Sequence, residues 1–203
     1  MKTSVLALDL ATTTGWAWHA VGMPRPFFGA FKLPGGPLDV GQPCDALERW
    51  LRDMFVKTRD AGLPVTHWFF EAQHVDAKIN IDTLYRLIGL GATVEKFAWQ
   101  VKPKDRAKPW VYKVHISTWR KHFIGRGSGF KRDQSAPGKV KPYLPGEDPK
   151  EIAIQRCAEF GWHTDVADAA EACGILDYAL AEIGDDTHPR PWRDALLMKT
   201  MAR

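Results

Sequence analysis

The sequence predicts an α/β domain: a five-stranded mixed sheet, its first three strands antiparallel, flanked by helices. Two patterns carry that prediction. Three short runs rich in β-branched and aromatic residues open the chain, separated by Thr, Gly and Pro. Behind them, runs with apolar residues three and four apart alternate with two more strand-like segments. Size and composition agree. A chain of 203 residues, 45% hydrophobic and 26% charged, makes one domain with a sizeable core and excludes a disordered chain or a coiled coil.

The opening strands are residues 5–11, 15–21 and 27–33. Across 40–60, Leu47, Trp50, Leu51, Met54 and Phe55 recur at helical spacing until Gly62 and Pro64 end the pattern. Residues 65–72 form a fourth strand, and 81–99 a second helix with Leu84, Leu87, Ile88, Gly91 and Val94 on one face. A fifth strand spans 111–116, followed by a short helical stretch at 119–123. The segment 125–149, rich in Gly, Pro and Lys, reads as a mobile basic loop. Two helices close the domain, 149–160 with Pro at its first position and 165–183 with an acidic cap. The domain is thus placed at 1–184 and a C-terminal tail at 185–203. This element order is found in the ribonuclease H-like fold.

Cys44, Cys157 and Cys173 are far apart, with no zinc-ligand spacing, which fits a reducing cytoplasm. The first ten residues read as a strand rather than a leader, because Asp9 interrupts their apolar run. No segment approaches the roughly 20 apolar residues of a membrane span.

Four carboxylates carry the chemistry. Asp9 lies inside an apolar strand, and Glu71 ends another behind Trp68, Phe69 and Phe70. Ionised groups at such positions need compensating partners. Asp165 and Asp168 are three apart at the start of the last helix and so share a face, although they also fit a cap with an acid at N3. A sheet of this order brings all four together. Such a cluster calls for cations, and two divalent ions about 4 Å apart are the usual partners in phosphoryl chemistry, so Mg²⁺ is implied.

These residues resemble the RuvC family of Holliday-junction resolvases. The likeness runs in order along most of the chain. Asp9-Leu-Ala-Thr-Thr-Thr-Gly-Trp16 is similar to the family's first strand and turn, and Phe70-Glu71 to its second acidic position. Ala77 to Asp82, with Leu84, Leu87 and Gly91, resembles the following helix. Gly125-Arg-Gly127 resembles a Gly-x-Gly turn, and Asp165-Val-Ala-Asp168-Ala169 the closing acidic motif.

The resemblance implies a homodimeric, metal-dependent endonuclease that nicks two strands of a four-way DNA junction symmetrically and leaves 5′-phosphate ends. Asp9, Glu71, Asp165 and Asp168 are its implied ligands for two Mg²⁺ ions, with Mn²⁺ a substitute. Arg120 or Lys121, and Lys150, match basic positions near the scissile phosphate. The implied setting is the cytoplasm of a bacterial or phage-infected cell.

The chain also departs from the family. Ala11 stands where many members have Gly, and the turn from Asp9 to Thr14 is one residue shorter than in the commonest bacterial form. His74 and Val75 stand where some members carry an aromatic wedge. The long loop from Arg126 to Asp148 suggests a phage or prophage type with broader branched-DNA preferences.

Basic residues form two stretches, Lys102 to Lys108 and Arg120 to Lys141. Lys78, Arg120, Lys121, Arg126, Lys131, Arg132, Lys139 and Lys141 are the DNA-binding candidates. Cations on Gly- and Pro-spaced backbone can follow phosphates, and Trp110, Trp119 and Phe130 among them could stack on unpaired bases. The alternatives are a broader flap or branched-DNA nuclease, an actin-like or sugar-kinase-like ATP-binding domain, and a non-catalytic junction binder. The ATPase reading lacks a second Gly-rich phosphate motif, and a pure binder gains nothing from carboxylates beside phosphate.

Overall fold

The computed structural model describes residues 3–36, 39–72, 80–105, 107, 109–138, 141–184, 190, 192–194, 198 and 201. Its strands are β1 (Ser4–Asp9), β2 (Thr13–Ala20), β3 (Phe27–Lys32), β4 (His67–Glu71) and β5 (Trp110–Val114). The helices are α1 (Gly41–Asp60), α2 (Ile81–Val101), α3 (Ile116–Ile124), α4 (Pro149–Glu159) and α5 (Ala167–Ile183). The sheet order is β3-β2-β1-β4-β5. The first three strands pair antiparallel, while β4 runs parallel to β1 and β5 parallel to β4. This is the mixed sheet that the sequence predicts.

Strand alternation divides the interior into two cores. Val5 and Ala7 of β1 and Phe69 of β4 face α3, α4 and α5, whereas Leu6, Leu8, Trp68 and Phe70 face α1 and α2. The first core is built around α5, whose Ala169, Ala170, Ala172, Cys173 and Gly174 are buried. Small side chains let this helix lie close to the sheet. At Gly15 the approach is closest: a Cβ there would sit 1.9 Å from the Asp168 carbonyl oxygen. Any other residue at position 15 pushes the start of α5 off β2. Among the described residues, no helix is long and apolar enough to cross a membrane.

Several boundaries differ from the sequence reading for local reasons. Strand β5 stops at Val114 because His115 turns to cap α3, its side chain accepting from the Ser117 backbone N–H. That helix therefore starts at Ile116, inside the expected strand. Helix α5 begins at Ala167, with Val166 at its N-cap and no side-chain capping bond, so Asp165 is not the expected cap. On α2 the buried stripe is Leu90, Gly91, Val94, Phe97 and Ala98, whereas Ile88 is exposed. The buried Arg86 explains the rotation, because its guanidinium donates to the Pro34 and Gly36 carbonyls and turns that side inward. In the basic loop, Arg132 and Tyr143 form an antiparallel bridge. At the C-terminal end, Trp192 is 4% exposed and belongs to the α5 core.

Candidate metal centre

The C-terminal ends of parallel strands in an α/β sheet are where ligands bind. Here those ends carry acids. Leu8 of β1 pairs with Phe70 of β4, so Asp9 and Glu71 come next on adjacent strands. Helix α5 lies over the same face and brings Asp168 and Glu171 from its first two turns, three residues apart on one side. One carboxylate oxygen each from Asp9, Asp168 and Glu171 lie within 4.8 Å of one another.

The electrostatics follow from this crowding. Burial raises the Asp9 carboxyl well above its ordinary value, and the Glu171, Glu71 and Asp168 charges add to the shift. Glu71 is raised to about 7, chiefly by burial, although the Trp119 hydrogen bond opposes it. Trp119 Nε1 donates to Glu71 Oε2 at 2.8 Å. That indole is fully buried against Gly174, where a Cβ would come within 2.8 Å of the ring. A glycine on α5 thus makes room for the ring that orients a carboxylate on β4.

Among the described residues, two cations answer part of the negative charge. Arg120 Nη2 meets Glu171 Oε1 at 2.7 Å, and Lys150 Nζ lies 2.8 Å from Asp168 Oδ1 and 3.4 Å from Glu171 Oε2. Partial burial of Lys150 works against its charge, but the Asp168 hydrogen bond and the Glu171, Asp168 and Asp9 charges outweigh it and hold the ammonium above its ordinary pKa. The donor set is all carboxylate oxygen, without thiol or imidazole, which suits a hard divalent ion such as Mg²⁺ or Mn²⁺. Asp9, whose pKa is raised well above its ordinary value, has no cation in direct contact among the described residues; Lys150 acts on it only through space. The residues fit a divalent metal.

No protein-family profile matches the chain, and no curated protein matches its sequence. Solved structures do match its shape. RuvC of T. thermophilus in complex with a Holliday-junction substrate aligns at a TM-score of 0.61 and 14% identity, covering 91% of this chain and 97% of that one. A second Thermus thermophilus RuvC structure aligns at a TM-score of 0.53 and 12% identity, covering 90% and 97%. The fold is that of the RuvC resolvases.

Of the residues that the RuvC resemblance nominates, the structure gathers Asp9 and Asp168 and sets Glu71 beside them. It does not gather Asp165. That residue is exposed, precedes α5, and is not among the charges that act on Asp9 or Glu71. Glu171 stands in its place, one turn beyond Asp168 and 4% exposed. The Asp-x-x-acid spacing is satisfied twice in a row here, by 165 and 168 and again by 168 and 171. The sequence motif selects the first pair, although Glu171 is the one embedded in the Ala-rich apolar run that faces the sheet.

Among the basic candidates, Arg120 points inward, between the Trp119 and Phe130 rings and on to Glu171. Lys121, its neighbour, is exposed. Arg126 pairs with Glu147 at 2.6 Å and lies over Phe130. Arg132 stacks 4.0 Å over Tyr143 and donates to its hydroxyl and to the Lys141 carbonyl. Lys141 donates to the Ala136 carbonyl. Lys131 is exposed, and its backbone is engaged on both sides, the N–H donating to Glu147 and the carbonyl accepting from the Leu144 N–H. Lys78 and Lys139, with His74 and Val75, lie outside the described residues.

Proposed function

We propose that this protein is a metal-dependent DNA endonuclease that resolves four-way junctions by paired symmetric nicks leaving 5′-phosphate ends. The observation that carries the reading is the convergence of Asp9, Asp168 and Glu171, beside Glu71, at the strand ends of a RuvC-type sheet. These four carboxylates are the ligands for Mg²⁺ or Mn²⁺. Two such ions, when bound, make water a nucleophile near neutral pH and stabilise charge on the attacking and leaving oxygens. Everything else in the reaction falls to the chain itself. Trp119 holds one Glu71 oxygen, Arg120 holds one Glu171 oxygen, and Lys150 stands at the mouth of the cluster, where a scissile phosphate would meet its ammonium.

Paired nicks need two such sites. A face of α2 suits a second copy of the chain: Ile81, Tyr85 and Ile88 are four and three residues apart and 56%, 60% and 50% exposed. Large apolar side chains in one exposed row favour burial against a partner, so the active species is a homodimer through α2. Lys121, Lys131 and the loop that carries Arg126 and Arg132 follow the DNA backbone outside the cluster.

The test is cleavage of a synthetic immobile four-way junction beside linear, single-stranded and forked DNA, with Mg²⁺ and with EDTA. Paired nicks confined to the junction are expected. Equal cutting of forks or linear DNA would move the protein to a broader nuclease class, and absence of cutting with all substrates would overturn the nuclease reading.

A further inference from the structure

The two cations at the acidic cluster are held differently, and this difference separates their roles. Arg120 has a side chain only 15% exposed, lodged between the Trp119 and Phe130 rings and ion-paired to Glu171. It cannot leave without emptying a packed position. Lys150 is on the first turn of α4, with a side chain 48% exposed on a flexible four-carbon stem. Its ammonium lies 2.8 and 3.4 Å from one oxygen each of Asp168 and Glu171. Those two residues are also members of the three-carboxylate group.

A divalent ion and an ammonium cannot share these oxygens without strong repulsion, because two cations within a few ångströms of each other inside a partly buried pocket are poorly screened. We infer that Lys150 is an exchangeable counter-ion: it neutralises Asp168 and Glu171 while the cluster is free of metal, gives up those oxygens when metal enters, and is thereby released to the substrate phosphate. This rests on the metal-dependent reading above and adds an order to it. Arg120 stays on Glu171 throughout and keeps that carboxylate aimed while its second oxygen changes partner. The exchange also links the two halves of the site, since the ammonium becomes available to DNA only where the carboxylates have been claimed by metal.

Removing this positive charge, which assists cleavage, should therefore strengthen metal binding. Mn²⁺ is titrated into the DNA-free protein by electron paramagnetic resonance for the wild-type chain, Lys150→Met and Lys150→Arg, with a thermal melt of each to establish folding. Lys150→Met is expected to bind Mn²⁺ about three- to tenfold tighter than wild type, the range expected from removing one half-exposed competing charge. It should also cleave junctions more slowly at saturating Mn²⁺. Lys150→Arg, which keeps the charge, should bind Mn²⁺ as wild type does. Equal or weaker Mn²⁺ binding by a folded Lys150→Met protein overturns the exchange and leaves the metal centre standing. No Mn²⁺ uptake by the wild-type protein overturns the exchange together with the reading on which it rests.

Discussion

Helix α5 carries two buried acidic sites that have opposite electrostatics. Towards its N-terminus, Asp168 and Glu171 join Asp9 and Glu71, four carboxylates against Arg120 and Lys150, and the Asp9 and Glu71 pKa values rise. Further along, Asp177 is fully buried and accepts hydrogen bonds from His122 at 3.0 Å, Trp192 at 2.8 Å and Arg193 Nε at 3.0 and 3.2 Å, with Arg190 3.9 Å away. Burial alone would raise the Asp177 pKa, yet the bonds from His122, Arg193 and Trp192 bring it down to about 2. Among the described residues, one site is short of positive charge and the other is saturated with it. The lesson is that burial of an acid says nothing about function until its partners are counted: a satisfied carboxylate is a fastening, and a cluster of poorly satisfied ones is a place for an ion.

Substitution by the neutral isostere breaks this comparison most directly. Asp168→Asn is expected to lower junction cleavage by about a thousandfold or more, equivalent to roughly 4 kcal/mol of barrier, while junction binding persists. A gel-shift and cleavage assay on the same preparation checks both halves. Asp177→Asn should leave the cleavage chemistry in place but cost about 3–5 kcal/mol of stability, the usual penalty for removing one partner of a buried ion pair. For a domain of this size that lowers Tm by on the order of 10 °C. Asp9→Asn should do the reverse, abolishing cleavage while raising the Tm of the metal-free protein at pH 8, because it removes a charge that folding has to desolvate. A fall in Tm for Asp9→Asn as large as that for Asp177→Asn would erase the distinction between the two sites.

The pH dependence separates them with opposite signs. A carboxylate whose folded pKa is raised binds more protons folded than unfolded, so stability drops as pH climbs between the two values. For Glu71 the window runs from its ordinary 4.5 to about 7, and Asp9 adds to the fall. Asp177 contributes stability that is complete above its ordinary 3.8 and is lost as pH falls towards about 2. Denaturant melts of the metal-free protein should therefore show stability declining from pH 4.5 to 7. Saturating Mg²⁺ should remove most of that decline, by a smaller margin than the mutational effects above. Burial lowers the His19 pKa below its ordinary 6.5 and so adds an opposing rise in stability towards that pH; a profile without metal that shows no decline beyond this rise would show that the acidic cluster is not short of positive charge.

The two sites also differ in how far they can be read from the sequence. Asp9 and Glu71 are legible because a charge inside a run such as Val5 to Leu8, or behind Trp68, Phe69 and Phe70, has no local explanation. The sheet follows from the same runs, since strand periodicity and Gly and Pro punctuation are local signals. Glu171 escapes notice because Asp165 and Asp168 offer the same spacing one turn earlier. Only the start of α5 at Ala167, set by its fit against Gly15 of β2, decides between the two pairs. Asp177 is invisible for a different reason: its partners come from α3 and from Arg190, Trp192 and Arg193, up to 55 residues away in the chain, and no periodicity encodes such pairings. Arg120 falls among the expected DNA contacts because its sequence neighbours are basic, whereas its spatial neighbours are two aromatic rings and a buried glutamate.

The smallest effects expected lie on the basic surface, where the same count of partners again sorts residues of one charge. Arg126 and Arg132 are engaged by Glu147, Phe130 and Tyr143, whereas Lys121 and Lys131 present exposed side chains. Removing one cation that neutralises a phosphate should reduce the slope of log affinity against log salt by about 0.9. Lys121→Gln and Lys131→Gln, measured by fluorescence anisotropy on a fixed junction from low to moderate salt, should each flatten the slope by roughly that amount and leave Tm unchanged. Arg132→Gln should instead lower the order of the loop first, through loss of the Tyr143 stack and the Lys141 carbonyl bond, and act on DNA binding only through that change. Slopes unaltered by both lysine substitutions would confine the DNA-binding surface to the mouth of the carboxylate cluster, where Lys150 already stands.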